Sequence, residues 1–223
     1  MLNPRLEACA RYVRPGANVC DVGTDHALLA VYLREQGIAQ NVIASDIGEG
    51  PLAAAQRTIS AHGLEDSIRT ILSDGLEHVP AEEVTDIVIA GMGGETMVHI
   101  LGDCPWSLTE KRLILQPMTK ADVLRSWLYA HGFAICEETC VRDGRFLYAV
   151  LYAEYTGECF TPDWVTVRLG KMDLSDSDCR AYAERQYDVL CQSRDGRIRA
   201  GMDASPFDEA AEAIASALKG DCT

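Results

Sequence analysis

The spacing of apolar residues along this chain changes period several times. Through about residue 155, short aliphatic and β-branched runs alternate with stretches whose apolar positions recur every three or four residues. Asn18–Val22 predicts a buried strand followed by a helix over His26–Gln36. Asn41–Asp46 predicts a second strand, with an Ala-rich helix over Pro51–His62 after it. Pro51 suits the first turn of a helix, where a missing N–H costs nothing. Ile68–Leu72 and Asp86–Ala90 predict a third and a fourth strand. The fourth is a continuous apolar run after Asp86, as parallel strands covered on both faces should be. Arg112–Gln116 is the fifth, with a helix from about Thr119 to Ala130. Ala134–Val141 and Phe146–Tyr155 are separated only by Arg142–Arg145, which predicts a β-hairpin with an antiparallel second strand. The pattern is that of an α/β, Rossmann-like, doubly wound sheet with helices on both faces.

From about Gly157 the strand signal fades. Cys179–Leu190 and Phe207–Leu218 have helical periodicity, and Asp173–Asp178 and Asp203–Pro206 have the composition of loops or caps. The expected organisation is one α/β domain over residues 1–156 and a small helical C-terminal domain over 157–223. A disordered tail is expected after Lys219.

Composition narrows this little. Hydrophobic residues make up 48% of the 223 and charged residues 24%, ordinary for a soluble globular chain. No apolar run reaches membrane-span length, and Met1–Glu7 has no basic-then-apolar signal pattern, so a cytoplasmic protein without a membrane partner is expected. Nine cysteines, an odd number without a CxxC pair, predict neither a disulfide framework nor a metal site. The formal net charge of −14 counts against a broadly basic nucleic-acid face, although a local patch can still carry binding.

The candidate chemistry sits at the predicted strand ends. Asp21-Val-Gly-Thr-Asp-His-Ala27 follows the first strand and opens the next helix. Gly23 would let the backbone approach a ligand closely. The glycines of a dinucleotide fingerprint are absent, and the flanking acids Asp21 and Asp25 would repel a pyrophosphate. They suit a ligand carrying a cationic amino group and a sulfonium, as the amino-acid end of S-adenosylmethionine does. Asp46, with Ile47 beside it, lies twenty-five residues after Asp21, near the spacing of a ribose-binding acid. Asp74-Gly75 ends the third strand, where an acid can accept the adenine amine. Ala90-Gly91-Met92 follows the fourth, where small residues leave room for a methyl donor and its target. Each piece alone has a plainer role: Asp25 or Asp46 as a helix cap, Asp74-Gly75 as a turn, His26 as a locally bonded side chain. Together they occupy the carboxyl ends of successive strands, where open α/β sheets bind ligands.

These stretches resemble the bacterial tRNA (adenine-22-N1)-methyltransferases of the TrmK type. The resemblance is carried by Asp21–Ala27, Ser73–Leu76, Ile87–Gly94, Leu113–Pro117 and Leu124–Leu128, with Arg5-Leu6 similar to the family's N-terminal helix. It implies a class I methyltransferase domain, a C-terminal coiled-coil-like helical domain, S-adenosylmethionine as cofactor, and methyl transfer to N1 of an adenine in tRNA. The family's Gln-Pro-Asn is here Gln116-Pro117-Met118, and Met offers no amide to a target base.

Methyl transfer at N1 needs alignment more than base catalysis, because that nitrogen carries a free lone pair. The ring becomes cationic as it is methylated, and a carboxylate nearby would stabilise it. Asp25 is the first candidate, with His26 as its partner. Gln116, Pro117, Met118 and Arg5 are the candidate substrate contacts. Candidate RNA contacts form three groups: Arg5, Arg11 and Arg14; Lys111, Arg112, Lys120 and Arg125; and Arg194, Arg197 and Arg199. From Glu158 onward eight basic residues stand against thirteen acidic ones, so the C-terminal part is not a generally basic clamp. Methyl transfer to another RNA or a small molecule, and a non-catalytic cofactor-binding role, stay open. So does the oligomeric state, a monomer included.

Overall fold

The computed structural model of the chain describes residues 2–220. Its elements in chain order are α1 (Pro4–Tyr12), β1 (Ala17–Val22), α2 (Leu28–Glu35), β2 (Ala39–Asp46), α3 (Glu49–Ala61), β3 (Ile68–Leu72), β4 (Asp86–Gly93) and α4 (Gly94–Gly102). There follow β5 (Arg112–Thr119), α5 (Ala121–Ala130), β6 (Phe133–Asp143), β7 (Phe146–Tyr155), α6 (Trp164–Leu169), α7 (Ser177–Arg199) and α8 (Ser205–Lys219). The seven strands form one sheet in the order β3-β2-β1-β4-β5-β7-β6. β1 to β5 pair in parallel, and β7 enters antiparallel between β5 and β6. This is the expected Rossmann-like sheet closed by a hairpin.

Strand periodicity sorts the side chains between two faces. Val19, Val88 and Ile114 pack with α1, α2 and α3 on one face. Their neighbours Cys20, Ile87, Ile89, Leu113 and Leu115 pack with α4 and α5 on the other. Ile87, Val88 and Ile89 are fully buried. Burying each contributes about 1.5–3 kcal/mol, and the run cannot be partly exposed without losing that. A third cluster joins α6, α7 and α8 to the outer part of the hairpin through Cys140 and Ala149.

Local signals explain several boundaries. Asn3 accepts the Leu6 amide at 3.0 Å and Pro4 occupies the first turn, which starts α1. The hairpin is tighter than expected: Arg142 and Asp143 remain in β6, and Asp143 pairs with Phe146 across the two-residue loop Gly144-Arg145. β4 and β5 run on past their predicted ends through register breaks at Ala90/Met92 and Met92/Gly93. Pro117 is tolerated there because it lies beside those irregularities. α7 extends nine residues beyond the predicted Leu190, to Arg199. α8 ends on Gly220, whose left-handed φ of 79° lets its amide bond the Ala217 carbonyl. The expected tail beyond it lies outside the described residues. No helix among the described residues is long and apolar enough to cross a membrane.

Candidate active site

The carboxyl ends of β1 to β5 bring the candidate acids to one rim. Asp21, near the end of β1, is 6% exposed and accepts the Thr24 hydroxyl at 2.8 Å. No cation pairs with it among the described residues. Burial raises its pKa to about 6; the Thr24 hydrogen bond works against that rise, and the nearby Asp46 charge adds to it. Asp46 ends β2 and accepts the Gly48 amide through Oδ1 at 2.8 Å, which leaves Oδ2 for another donor. Ile47 beside it is 69% exposed, an apolar surface next to an acid. At the end of β3, Ser73 holds the turn: its hydroxyl donates to the Gly75 carbonyl and accepts the His78 amide, both at 3.1 Å. Asp74 is thereby left exposed on that turn.

The Gly23 turn is built for close approach. Gly23 has φ 74°, and both its amide and that of Thr24 donate to the Ser45 carbonyl on β2. A Cβ on Gly23 would lie 2.0 Å from the Met92 terminal methyl. The space above Gly23 is therefore filled only by the tip of a flexible side chain, which can swing aside. An acidic rim, a glycine without obstruction from backbone and an uncompensated carboxylate fit a cationic amino acid–nucleoside better than a pyrophosphate.

The expected helix from His26 starts later. His26 and Ala27 both take left-handed backbone, φ 56° and 54°, and α2 begins at Leu28. Its cap residue is Ala27, with no side-chain cap, so Asp25 does not cap this helix. Two successive non-glycine residues with positive φ are costly and belong to the strained geometry common at functional turns. The turn presents the Asp25 side chain 89% exposed, with His26 Nε2 3.5 Å from its Oδ1.

Around β5 the picture is different. Gln116 is fully buried. Its Oε1 accepts Arg5 Nη1 at 2.9 Å and the Gly91 amide at 3.1 Å, and its Nε2 donates to the Pro117 carbonyl. As placed, Gln116 is committed to holding Arg5 and the Gly91 turn, not a free contact for a base. Arg5 also reaches Asp143 Oδ2 at 2.9 Å, the Met118 sulfur at 3.3 Å, and stands 5.3 Å from the Tyr148 ring centroid. Pro117 is buried, and Met118 is 37% exposed at the rim. Sequence reasoning did not single out Thr24, Asp143 or Tyr148. Thr24 is discoverable as the hydroxyl three residues after Asp21; the other two meet Arg5 only because the hairpin folds back over α1.

Most of the candidate RNA-binding cations bond groups of the protein itself. Arg125 is fully buried, bonded to Glu138 at 2.7 Å and to the Val167 and Arg168 carbonyls. Lys111 caps the Ala81 and Val84 carbonyls, Arg112 pairs with Glu154, and Arg14 pairs with the buried Asp86. Arg194 pairs with Asp195, Arg197 bonds the Asp203 carbonyl, and Arg199 bonds the Asp195 carbonyl. The thiols of Cys9 and Cys20 are pushed up to about 12 by burial, which makes them small apolar residues and not nucleophiles.

The sequence matches the model of the family described as "Methyltransferase domain" over residues 2–151. It is 37% identical over 172 residues to the tRNA (adenine(22)-N(1))-methyltransferase of Bacillus subtilis strain 168, covering 77% of this chain and 72% of that one. The chain belongs to the tRNA (adenine(22)-N(1))-methyltransferase family. Solved structures agree with membership of that family. The B. subtilis m1A22 tRNA methyltransferase TrmK is 27% identical with a TM-score of 0.74, over 98% of this chain and 96% of that. A Streptococcus pneumoniae protein crystallised in complex with S-adenosyl-L-methionine is 32% identical with a TM-score of 0.84, over 98% and 100%. The family's likeness extends over α6, α7 and α8, beyond the segment that carried the sequence motifs.

Proposed function

We infer that this protein is an S-adenosylmethionine-dependent methyltransferase acting on N1 of adenine 22 in tRNA. The observation that carries it is Asp21: a buried carboxylate with no cation beside it among the described residues, at the carboxyl end of β1, in a chain 37% identical to an enzyme of that activity. Burying a carboxylate without a partner costs stability, and a cationic ligand relieves that cost.

When bound, S-adenosylmethionine supplies an electrophilic methyl group on a sulfonium, with a neutral thioether as leaving group. Asp21 would receive its ammonium group, Gly23 would allow close approach, and Met92 would yield the space above that glycine. Asp46 would accept from the ribose hydroxyls, and Ile47, Asp74 and Gly75 would hold the adenine. Ala90, Gly91 and Met92 would line the space for the methyl donor and its target. Asp25, oriented by His26, stabilises the positive charge that develops on the target base as N1 gains the methyl. No general base is needed. Arg5 and Met118 border the target base, and Gln116 with Pro117 positions them. The base must be unpaired or turned out of its stack, because N1 lies on the pairing edge. Residues 1–156 would be the cofactor domain in this assignment, and α6, α7 and α8 would belong to the C-terminal domain over 157–223.

Transfer of labelled methyl from S-adenosylmethionine to unmodified bacterial tRNA, followed by digestion to nucleosides, tests this. Label in 1-methyladenosine at position 22, lost in Asp25→Ala with cofactor binding retained, is the expected result. Cofactor binding without any transfer to tRNA would sink the assignment.

A further inference from the structure

With Lys111, Arg112 and Arg125 tied up internally, one cation of the group around β5 is left. Lys120 follows the strand directly after Met118-Thr119 and has φ 56°, a left-handed conformation unusual for lysine. The start of α4 packs against it so closely that a Cβ on Gly94 would lie 2.1 Å from the Lys120 carbonyl oxygen. That packing holds the strained turn, and strain of this kind collects at binding sites.

Lys120 lines a groove of about 560 Å³ that opens from Met118 and runs between the β6–β7 hairpin and α7. The volume falls in the ~300–1,000 Å³ range of small-ligand pockets, enough for a mononucleotide unit. Three cations line it, Lys120, Arg168 and Arg185, against one acid, Asp122. Asp122 is 3.3 Å from Arg168. Lys120 and Arg185 are exposed and have no acidic partner among the described residues. On a chain of net charge −14, two uncompensated cations in one groove are a local exception. The groove also contains an aromatic platform. Phe146, 39% exposed at the hairpin turn, lies 6.1 Å from the Tyr148 ring, and Tyr148 in turn faces Arg5. Cations that follow a backbone, interleaved with exposed aromatic rings, are the recognition chemistry of single-stranded nucleic acid.

We propose that this groove holds the nucleotide next to the target adenine, with its phosphate between Lys120 and Arg185 and its base against Phe146. It extends the substrate site from the β5 rim onto α7 and gives the C-terminal helices a direct part in RNA binding. The inference rests on the tRNA methyltransferase reading above.

The test compares Arg185→Ala and Phe146→Ala with wild type, and uses Arg57→Ala on α3 as a control for loss of one positive charge. Unmodified full-length tRNA is titrated by anisotropy at several salt concentrations, S-adenosylmethionine binding is measured by calorimetry, and methylation kinetics are recorded. Arg185→Ala is expected to weaken tRNA binding roughly tenfold and to lower the log–log salt slope by about 0.7, the loss of one phosphate contact. Phe146→Ala is expected to weaken it by roughly tenfold or more with the salt slope unchanged, the signature of lost stacking. Cofactor affinity stays at the wild-type value in both, which excludes misfolding. Equal tRNA affinity in wild type and both variants, with the wild type methylating tRNA normally, overturns the groove alone. A shift in Arg57→Ala equal to that in Arg185→Ala overturns it too, by showing a general charge effect. A wild type that binds cofactor and methylates no tRNA overturns the groove together with the functional reading.

Discussion

The two ends of the same sheet treat charge in opposite ways. At the amino end, Asp86 begins β4 fully buried and is matched by Arg14, whose amide and guanidinium both bond it. Lys111 and Arg112 close the neighbouring carbonyls and Glu154 there. At the carboxyl end, Asp21 is nearly as buried, yet among the described residues its side chain bonds only the Thr24 hydroxyl, and Asp46, Asp25 and Asp74 add further acids. The two carboxylates belong to paired strands: Asp86 lies opposite Val19 and Asp21 opposite Val88, two residues further along. So two positions along the same pair of strands separate a charge the fold compensates from one it leaves open. The first is structural; the second, on the functional reading above, awaits a cationic ligand, because at neutral pH its charge has no partner of its own.

The largest effect expected from disturbing that contrast is at the closed end. Arg14→Ala leaves Asp86 buried without its guanidinium and should destabilise the fold by about 3 kcal/mol or more in denaturant titration. Cofactor affinity of the folded fraction should stay unchanged. A loss under about 1 kcal/mol would show that Asp86 does not depend on its partner.

At the open end the sign reverses. Asp21 has a folded pKa raised to about 6 from 3.8, so the folded state holds that proton more tightly than the unfolded one. Its contribution is fully present below pH 3.8 and is lost as pH rises through 6. Asp21→Asn keeps an acceptor for Thr24 and removes the buried charge. It should make the ligand-free protein more stable than wild type by about 3 kcal/mol at pH 7.5, with the difference vanishing near pH 4. The same variant should bind S-adenosylmethionine far more weakly. Destabilisation at pH 7.5 would contradict the contrast between the two ends.

Gly23→Ala tests the space above the turn. Left-handed backbone for alanine costs about 1–2 kcal/mol, and the new methyl itself takes the space above the turn that Met92 would otherwise yield. Calorimetry should show cofactor affinity falling at least tenfold with the sheet intact by circular dichroism. The smallest expected effect is a pH profile. Wild-type affinity for the cofactor should decline below pH 6, by at most about tenfold per unit, as Asp21 takes up its proton. Asp21→Asn should lack that limb.

Much of this end of the molecule was legible from local pattern. Asp21, Asp46, Asp74 and Gly91 stand at strand ends that the apolar runs mark, and turn geometry is set by neighbours in sequence. The departures were local too: α2 starts at Leu28 because His26 and Ala27 take left-handed backbone, which no propensity favours. The basic residues were not legible. Lys111, Arg112, Lys120 and Arg125 look alike as a cluster, yet Arg112 finds Glu154 forty-two residues away and Arg125 finds Glu138 across a buried joint.

Periodicity and short-range turn chemistry laid down the strands, the helices between them, the acidic turns and the hairpin, while the motif residues carried the family resemblance. Tertiary structure alone decided which charges are neutralised: Asp86 and Arg125 matched and silent, Asp21 unmatched, Lys120 and Arg185 left facing one groove. The reason is physical. A charge's energy depends on its burial and on the distance to every other charge, and both are fixed only when distant segments of the chain pack together.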